Sequence, residues 1–356
     1  MFTVLHYTGY RDERGGIVAV IRALHETGRF RCVHGVSPGF WAGGSPLEIW
    51  TGPDIAAEKI GPASFWRART VALAVRAWLA AEPGRIFHGH SRAGLLVGLW
   101  LHWLGERRVV VSVHCYGRQR WFYRGAAHWL GTQLFWLTPE MRRYYGMTDA
   151  GWSQCVPGGV PSDCFAVTPP APVPGRLRLG GAGMLVRWKR WDLVLEALSL
   201  LPVEIRSQIT FEHIGAAINE PDSQACAAEL CRLTSTLDVT DCVIWNGPEA
   251  SSHRLLSAVD LLVVPSHHEP YSMILQEALA ASVPVLAAAS GGPLDLVRTG
   301  ENGWLFPDGD PRALAVALET QVRTRAWTGL DSATIRQTAR SARDAAAEWS
   351  AIYKQL

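Results

Sequence analysis

Short runs of β-branched and apolar residues alternate with longer helical patterns along almost the whole chain, and this alternation constrains the fold most. The first runs that read as strands are Phe2–His6, Phe30–Gly35, Arg85–His88, Val109–His114, Gln133–Leu137 and Gln154–Val156. Leu179–Leu185, Ile209–Ile214, Cys242–Trp245, Leu261–Val264 and Val283–Ala287 form a second series. Helical patterns lie between them, among others at Gly16–Thr27, Ser64–Ala81, Ala93–Gly105, Trp191–Leu200, Ser272–Ala281 and Pro311–Val322. Strands separated by helices pair in parallel, because a parallel neighbour needs a crossover about as long as a helix. The class expected is α/β, with doubly wound parallel sheets. The segment Thr168–Pro174 (TPPAPVP) can continue neither strand nor helix, which divides the chain into 1–167, a linker at 168–174, and 175–331. Residues 332–356 form a last helical pattern.

Composition fits two domains. With 356 residues, 48% apolar and 19% charged, the chain has material for two cores, and general disorder is excluded. The longest apolar run, Leu95–Leu104, is too short to span a membrane. The opening Met1–Tyr7 lacks the charged start of a signal peptide, so a soluble, unexported, cytoplasmic protein is expected. Seven cysteines form no Cys-x-x-Cys pair, which points to reduced thiols rather than a zinc site. Charge is uneven: residues 1–165 hold 18 Lys and Arg against 11 Asp and Glu, whereas residues 166–356 hold 16 against 21. The basic half suits an anionic partner such as a phosphate, an acidic glycan or a membrane headgroup.

Ligands of parallel sheets bind beyond the carboxyl ends of strands, so the strand-to-helix turns carry the candidate chemistry. After Val264 comes Pro265-Ser-His-His-Glu-Pro-Tyr-Ser-Met-Ile-Leu-Gln-Glu277, which puts Glu269 in a turn and Glu277 two turns into the next helix. Free amides near Ser272, Met273 and Ile274 favour an anion, and carboxylates accept hydrogen bonds from vicinal hydroxyls. Together they suit a ligand that joins phosphates to sugars. Gly291 and Gly292 open the next turn, where a backbone can approach closely. Arg187, Lys189 and Arg190 place three cations at the first turn of the second half, and Gly15-Gly16 precede a helix in the first half.

These segments, in this order, resemble the GT-B glycosyltransferases, specifically the retaining family four (glycosyl transferases group 1). Glu269 and Glu277, with seven residues between them, match that family's two-Glu signature. Gly291-Gly292 through Asp310-Pro-Arg-Ala-Leu resembles its closing segment, and Val156–Phe165 its interdomain turn. The resemblance implies two Rossmann-like domains facing a cleft, with the final helix crossing back to the first domain. It also implies a nucleotide-diphosphate sugar as donor, held mainly by the second domain, with no cofactor and no metal. Glu269, Lys189 and His114 would be the catalytic group. Glu277 would bind the ribose, while Gly15, Gly16, Ser272, Met273, Ile274, Gly291 and Gly292 would help hold the donor.

Departures and rivals shape the rest. The family's usual Arg, five positions before its Lys, is here Met184; Arg187 or Arg190 is expected to supply the missing phosphate contact. Arg118, Arg120, Trp121 and Arg124 mark the acceptor side, for a glycan or a lipid-linked acceptor, and such a basic-aromatic face also suits an anionic membrane. Nucleic acid is not expected, since no recognition motif accompanies the charge. His88-Gly-His-Ser91-Arg-Ala mimics the nucleophile elbow of an α/β-hydrolase, for which Asp260 with His253, His267 or His268 would complete a triad. A sugar-nucleotide epimerase, or a binding subunit that has lost its chemistry, is the other alternative. Asp308-Gly-Asp310 resembles a metal motif, but its place just before Pro311 is explained by turn and cap duties.

Overall fold

The computed structural model describes residues 1–11, 15–40, 46–55, 60–148, 150–249 and 251–356. The chain divides into two compact units, Met1–Pro161 with Ser341–Leu356, and Ser162–Arg340. The boundary falls before the Pro-rich segment expected to be the linker. That segment lies in the second unit, where the carbonyl of Ala171 accepts a hydrogen bond from Arg178.

Unit one is a seven-stranded, all-parallel sheet. Its strands are β1 (Thr3–Tyr7), β2 (Arg31–Val36), β3 (Glu48–Thr51), β4 (Arg85–Gly89), β5 (Val109–Val113), β6 (Leu134–Trp136) and β7 (Gln154–Cys155). The spatial order is β3-β2-β1-β4-β5-β6-β7, so the winding reverses between β1 and β4. The intervening helices are α1 (Gly16–Glu26), α2 (Pro62–Ala80), α3 (Arg92–Trp103), α4 (Arg120–Leu130) and α5 (Pro139–Tyr144). Right-handed crossovers put α2, α3 and α4 on one face of the sheet.

Unit two has a six-stranded parallel sheet ordered β10-β9-β8-β11-β12-β13, with its reversal between β8 and β11. These are β8 (Leu177–Ala182), β9 (Ile209–Ile214), β10 (Val243–Trp245), β11 (Leu261–Val264), β12 (Val285–Ala288) and β13 (Gly303–Phe306). Its helices are α6 (Trp191–Leu200), α7 (Val203–Arg206), α8 (Pro221–Thr236), α9 (His253–Leu256), α10 (Met273–Ala280), α11 (Pro293–Leu296), α12 (Pro311–Thr324) and α13 (Ser332–Arg336). β11, Leu-Leu-Val-Val, is fully buried, as a central parallel strand covered on both faces must be. Two apolar clusters sandwich the sheet, one around Trp191, Leu195, Leu230 and Leu314, the other around Leu255, Leu275 and Leu279.

The final helix, α14 (Ala342–Tyr353), belongs to unit one and packs against α1. Trp349 packs on His88 and Phe135, and the Tyr353 hydroxyl bonds His88 Nδ1 at 2.7 Å. The continuous pattern at 332–356 therefore splits: α13 stays with unit two, and Ser341 caps α14.

Candidate active site

In unit two, the turns after β8 and β11 leave the two strands that flank the winding reversal, and each brings one charged residue. Arg187–Lys189 form a single 3-10 turn after β8, and Glu269 lies in the turn after β11. Lys189 Nζ donates to Glu269 Oε2 at 2.6 Å, and both residues are buried. The ammonium also lies 4.4 Å from the centre of the Trp188 ring, and the two turns are stitched by His267 N donating to Trp188 O at 2.8 Å.

Glu269 is held from behind by its own backbone. Its carbonyl accepts from Gly292 N at 2.7 Å, and it bridges Gly291, whose φ is 72°. A Cβ at Gly291 would stand 2.4 Å from the Glu269 carbonyl oxygen, so this position demands glycine. The close approach at Gly291 is to the Glu269 backbone, and at Gly292 to that of Pro270 and Tyr271. Ser272, at φ 64°, caps α10 by accepting from Leu275 N at 3.4 Å. The first-turn amides of Met273 and Ile274 have no acceptor within the helix, which leaves donors for an anion.

Glu277 faces a different set of groups on the same helix. Burial pushes its carboxyl above the usual range, opposed by the donating Ser252 hydroxyl and by His253, while Asp163 adds to the rise. Asp163, Cys164 and His253 have donor atoms within 4.8 Å of one another, as do His6, His88 and His90 in unit one. In the second set both His88 nitrogens are engaged, with Tyr353 and Ser112, and His6 Nδ1 bonds His90, while His6 Nε2 is buried without a hydrogen-bond partner.

Arg190 Nε is occupied by Asp192 at 3.1 Å, and Arg187 is exposed, close enough to Cys226 and Glu229 to act on both electrostatically. Met184, where the resemblance would place an Arg, uses its carbonyl to receive Trp191 Nε1 at 3.1 Å. Beyond the ends of β8, β9 and β10 opens a cleft of about 280 Å³, lined by Leu185, Gly215, Ala216, Trp245, Gly247 and the α8 side chains Ala227, Leu230 and Cys231. Trp245 also packs on His213, a buried imidazole pushed down to about 3 by burial and then by Lys189. The cleft and His213 were not singled out in the sequence; they converge from three strand ends that are distant along the chain.

In unit one, His114 follows β5, and its Nε2 lies 3.0 Å from His90 Nδ1, while His90 Nε2 lies 2.8 Å from His6 Nδ1. The three rings form one hydrogen-bonded row. Burial pushes His114 and His6 down to about 3. Gly15, at φ 112°, precedes the first turn of α1, and nothing fills the space where its Cβ would stand; residues 12–14 of that loop lie outside the described residues. Ser91 is a helix cap: Oγ accepts from Gly94 N at 3.1 Å and donates to Thr8 O. Asp260, the acid a hydrolase would need, is bound by Arg178 at 2.7 Å. Asp310 likewise caps α12, accepting from Arg312 N and Ala313 N, and Asp308 pairs with His267. Arg118, Arg120, Trp121 and Arg124 lie exposed on and before α4, with Arg120 stacked 4.7 Å over Tyr144.

Two parallel doubly wound units, each with its reversal point beside β1 or β8, define the GT-B class. HepE of Anabaena, solved with UDP-glucose, shares this fold over 100% of both chains, with a TM-score of 0.76 at 17% identity. The lipopolysaccharide outer core galactosyltransferase WaaB matches over 100% of both chains at a TM-score of 0.73 and 15% identity. Residues 176–332 match the family model of the glycosyl transferases group 1. A D-inositol 3-phosphate glycosyltransferase of Xylanimonas cellulosilytica is 34% identical over 197 residues, 50% of this chain and 45% of that protein. Its counterpart in Mycolicibacterium gilvum is 33% identical over 138 residues, 38% of this chain and 30% of that protein. The chain spans about half the length, or less, of the curated relatives it matches.

Proposed function

We propose that the protein is a retaining glycosyltransferase that moves a sugar from a nucleotide-diphosphate sugar to a glycan, lipid-linked or small-molecule acceptor. The observation that carries this reading is the buried Lys189–Glu269 pair, presented by the two strands at the winding reversal and adjoining the open first turn of α10. The Lys189 ammonium and the α10 amides neutralise the diphosphate as it leaves. Glu269 holds the hydroxyls of the donor sugar, Glu277 takes the ribose hydroxyls, and the cleft lined by Trp245 and Leu185 takes the base. In unit one by itself, His114 and the Gly15-Gly16 turn are the residues we propose to meet a ligand. Cations and helix amides stabilise the leaving group, so no divalent metal is needed. The UDP-glucose bound by HepE supports a nucleotide-sugar donor.

Arg187 and Arg190 are proposed to stand in for the Arg absent at Met184. Calorimetric titration with UDP, GDP and ADP tests the donor site and this substitution together. One nucleoside diphosphate is expected to bind, and Arg187→Ala or Arg190→Ala to weaken it by roughly tenfold, the loss of one charge-assisted contact. Unchanged affinity in both variants contradicts the compensation; no binding by any of the three nucleotides contradicts the donor site.

A further inference from the structure

We infer that the outer surface of α2, α3 and α4 docks on an anionic lipid bilayer. This inference stands on unit one alone and does not depend on the transferase reading. α4 is amphipathic in an unusual sense: Tyr123, Ala126, Ala127 and Leu130 face inward, while Trp121, Arg124, His128 and Trp129 face water. Trp121 is 73% exposed and Trp129 61%. On α2, Trp66 is 62% exposed and Leu73, one heptad on, 40%. The rings form a continuous belt across all three helices. Trp66 lies 5.5 Å from Trp100, Trp100 5.5 Å from Trp103, and Trp103 5.8 Å from Trp129.

A soluble surface rarely leaves linked tryptophans in water without a use for them. The charge beside the belt identifies the use. α2 carries Arg67, Arg69 and Arg76, α3 Arg92, and α4 Arg120 and Arg124, and none of the three helices contains Asp or Glu. Glu82 and Glu106, in the loops that follow α2 and α3, are paired with Arg85 and Arg108. Exposed indole rings prefer the headgroup level of a membrane, and arginines with no neighbouring carboxylate on their helices match a layer of anionic phosphates. Short of any membrane-spanning helix among the described residues, such a face lies on a bilayer rather than through it.

The test is sedimentation of the full chain with phosphatidylcholine vesicles, with and without phosphatidylglycerol. Binding is expected to be at least about tenfold tighter to the anionic vesicles and to weaken with salt. Trp66→Ala/Trp129→Ala and Arg69→Gln/Arg76→Gln are each expected to lose on the order of tenfold of that binding while keeping the wild-type thermal transition. Should either variant fail to fold, quenching of wild-type tryptophan emission by brominated acyl chains reads the same contact without substitution. Equal binding to both vesicle types, no binding, or absence of quenching overturns the proposal. So does a dimer dissolved by the tryptophan variant in a chain that ignores lipid, because the belt would then be a contact between two copies.

Discussion

Lys189 Nζ and Glu269 Oε2 meet at 2.6 Å with side chains only 11% and 5% exposed, so each charge depends on the other. A buried ion pair contributes little net stability, but losing one partner strands the other charge in a poor solvent. Lys189→Met and Glu269→Gln are therefore each expected to lose about 3–5 kcal/mol, and the double variant to recover most of it. Urea unfolding of the four proteins checks this. Additive losses would show that the two groups are independently solvated.

Glu277 makes the opposite stability prediction. Burial raises its folded pKa, so the folded state holds the extra proton, and the group's favourable contribution lies at low pH and fades as pH rises. Desolvation of the half-buried Glu277 carboxyl therefore costs stability as the group ionises. Glu277→Gln should melt at or above the wild-type temperature at pH 7, with the difference closing toward pH 4, while nucleotide affinity falls. A variant less stable than wild type at neutral pH contradicts the assignment.

The sequence shows these two carboxylates only as a spacing. Glu269 and Glu277 stood out because a turn and the helix after it are adjacent in the chain, and strand alternation announced both sheets. What escaped depended on distant segments. β3 is a short, partly exposed edge strand, and β13 is a four-residue strand that opens on a glycine. α4 does not read as a helix in the sequence because its tryptophans point outward, which inverts the usual polarity of a helical pattern. His90 and His6 are linked to His114 only once β1, β4 and β5 lie side by side.

That histidine row should set the acid limit of unit one. Burial holds His6 and His114 near 3 and His34 near 4, and keeps His88 and His90 well below the ordinary value. Unfolding lets each take up a proton near pH 6.5. Their stabilisation is complete above that pH and is lost as pH falls toward the folded values, by up to about 1.4 kcal/mol per pH unit for each ring. Unfolding of unit one should therefore become steeply easier from pH 6.5 to 5, with a shallower slope in His6→Phe. Stability that is flat over this range contradicts neutral burial.

Ser91 should be inert as a nucleophile. Its hydroxyl is committed to Gly94 N and Thr8 O, so Ser91→Ala is expected to cost about 1 kcal/mol as a lost helix cap. No labelling by a serine-reactive phosphonate should be detected. Labelling at Ser91 would restore the hydrolase alternative.

The most direct test of the account is nucleotide release. The chain is incubated in EDTA with UDP-, GDP- and ADP-sugars, with and without candidate glycan and lipid-linked acceptors, beside Glu269→Ala. The account predicts acceptor-dependent release of one nucleoside diphosphate, reduced by on the order of a hundredfold or more in Glu269→Ala, the scale of losing an electrostatic contact made at the reacting centre. Release that ignores the Glu269 substitution, or that requires added divalent metal, would contradict it.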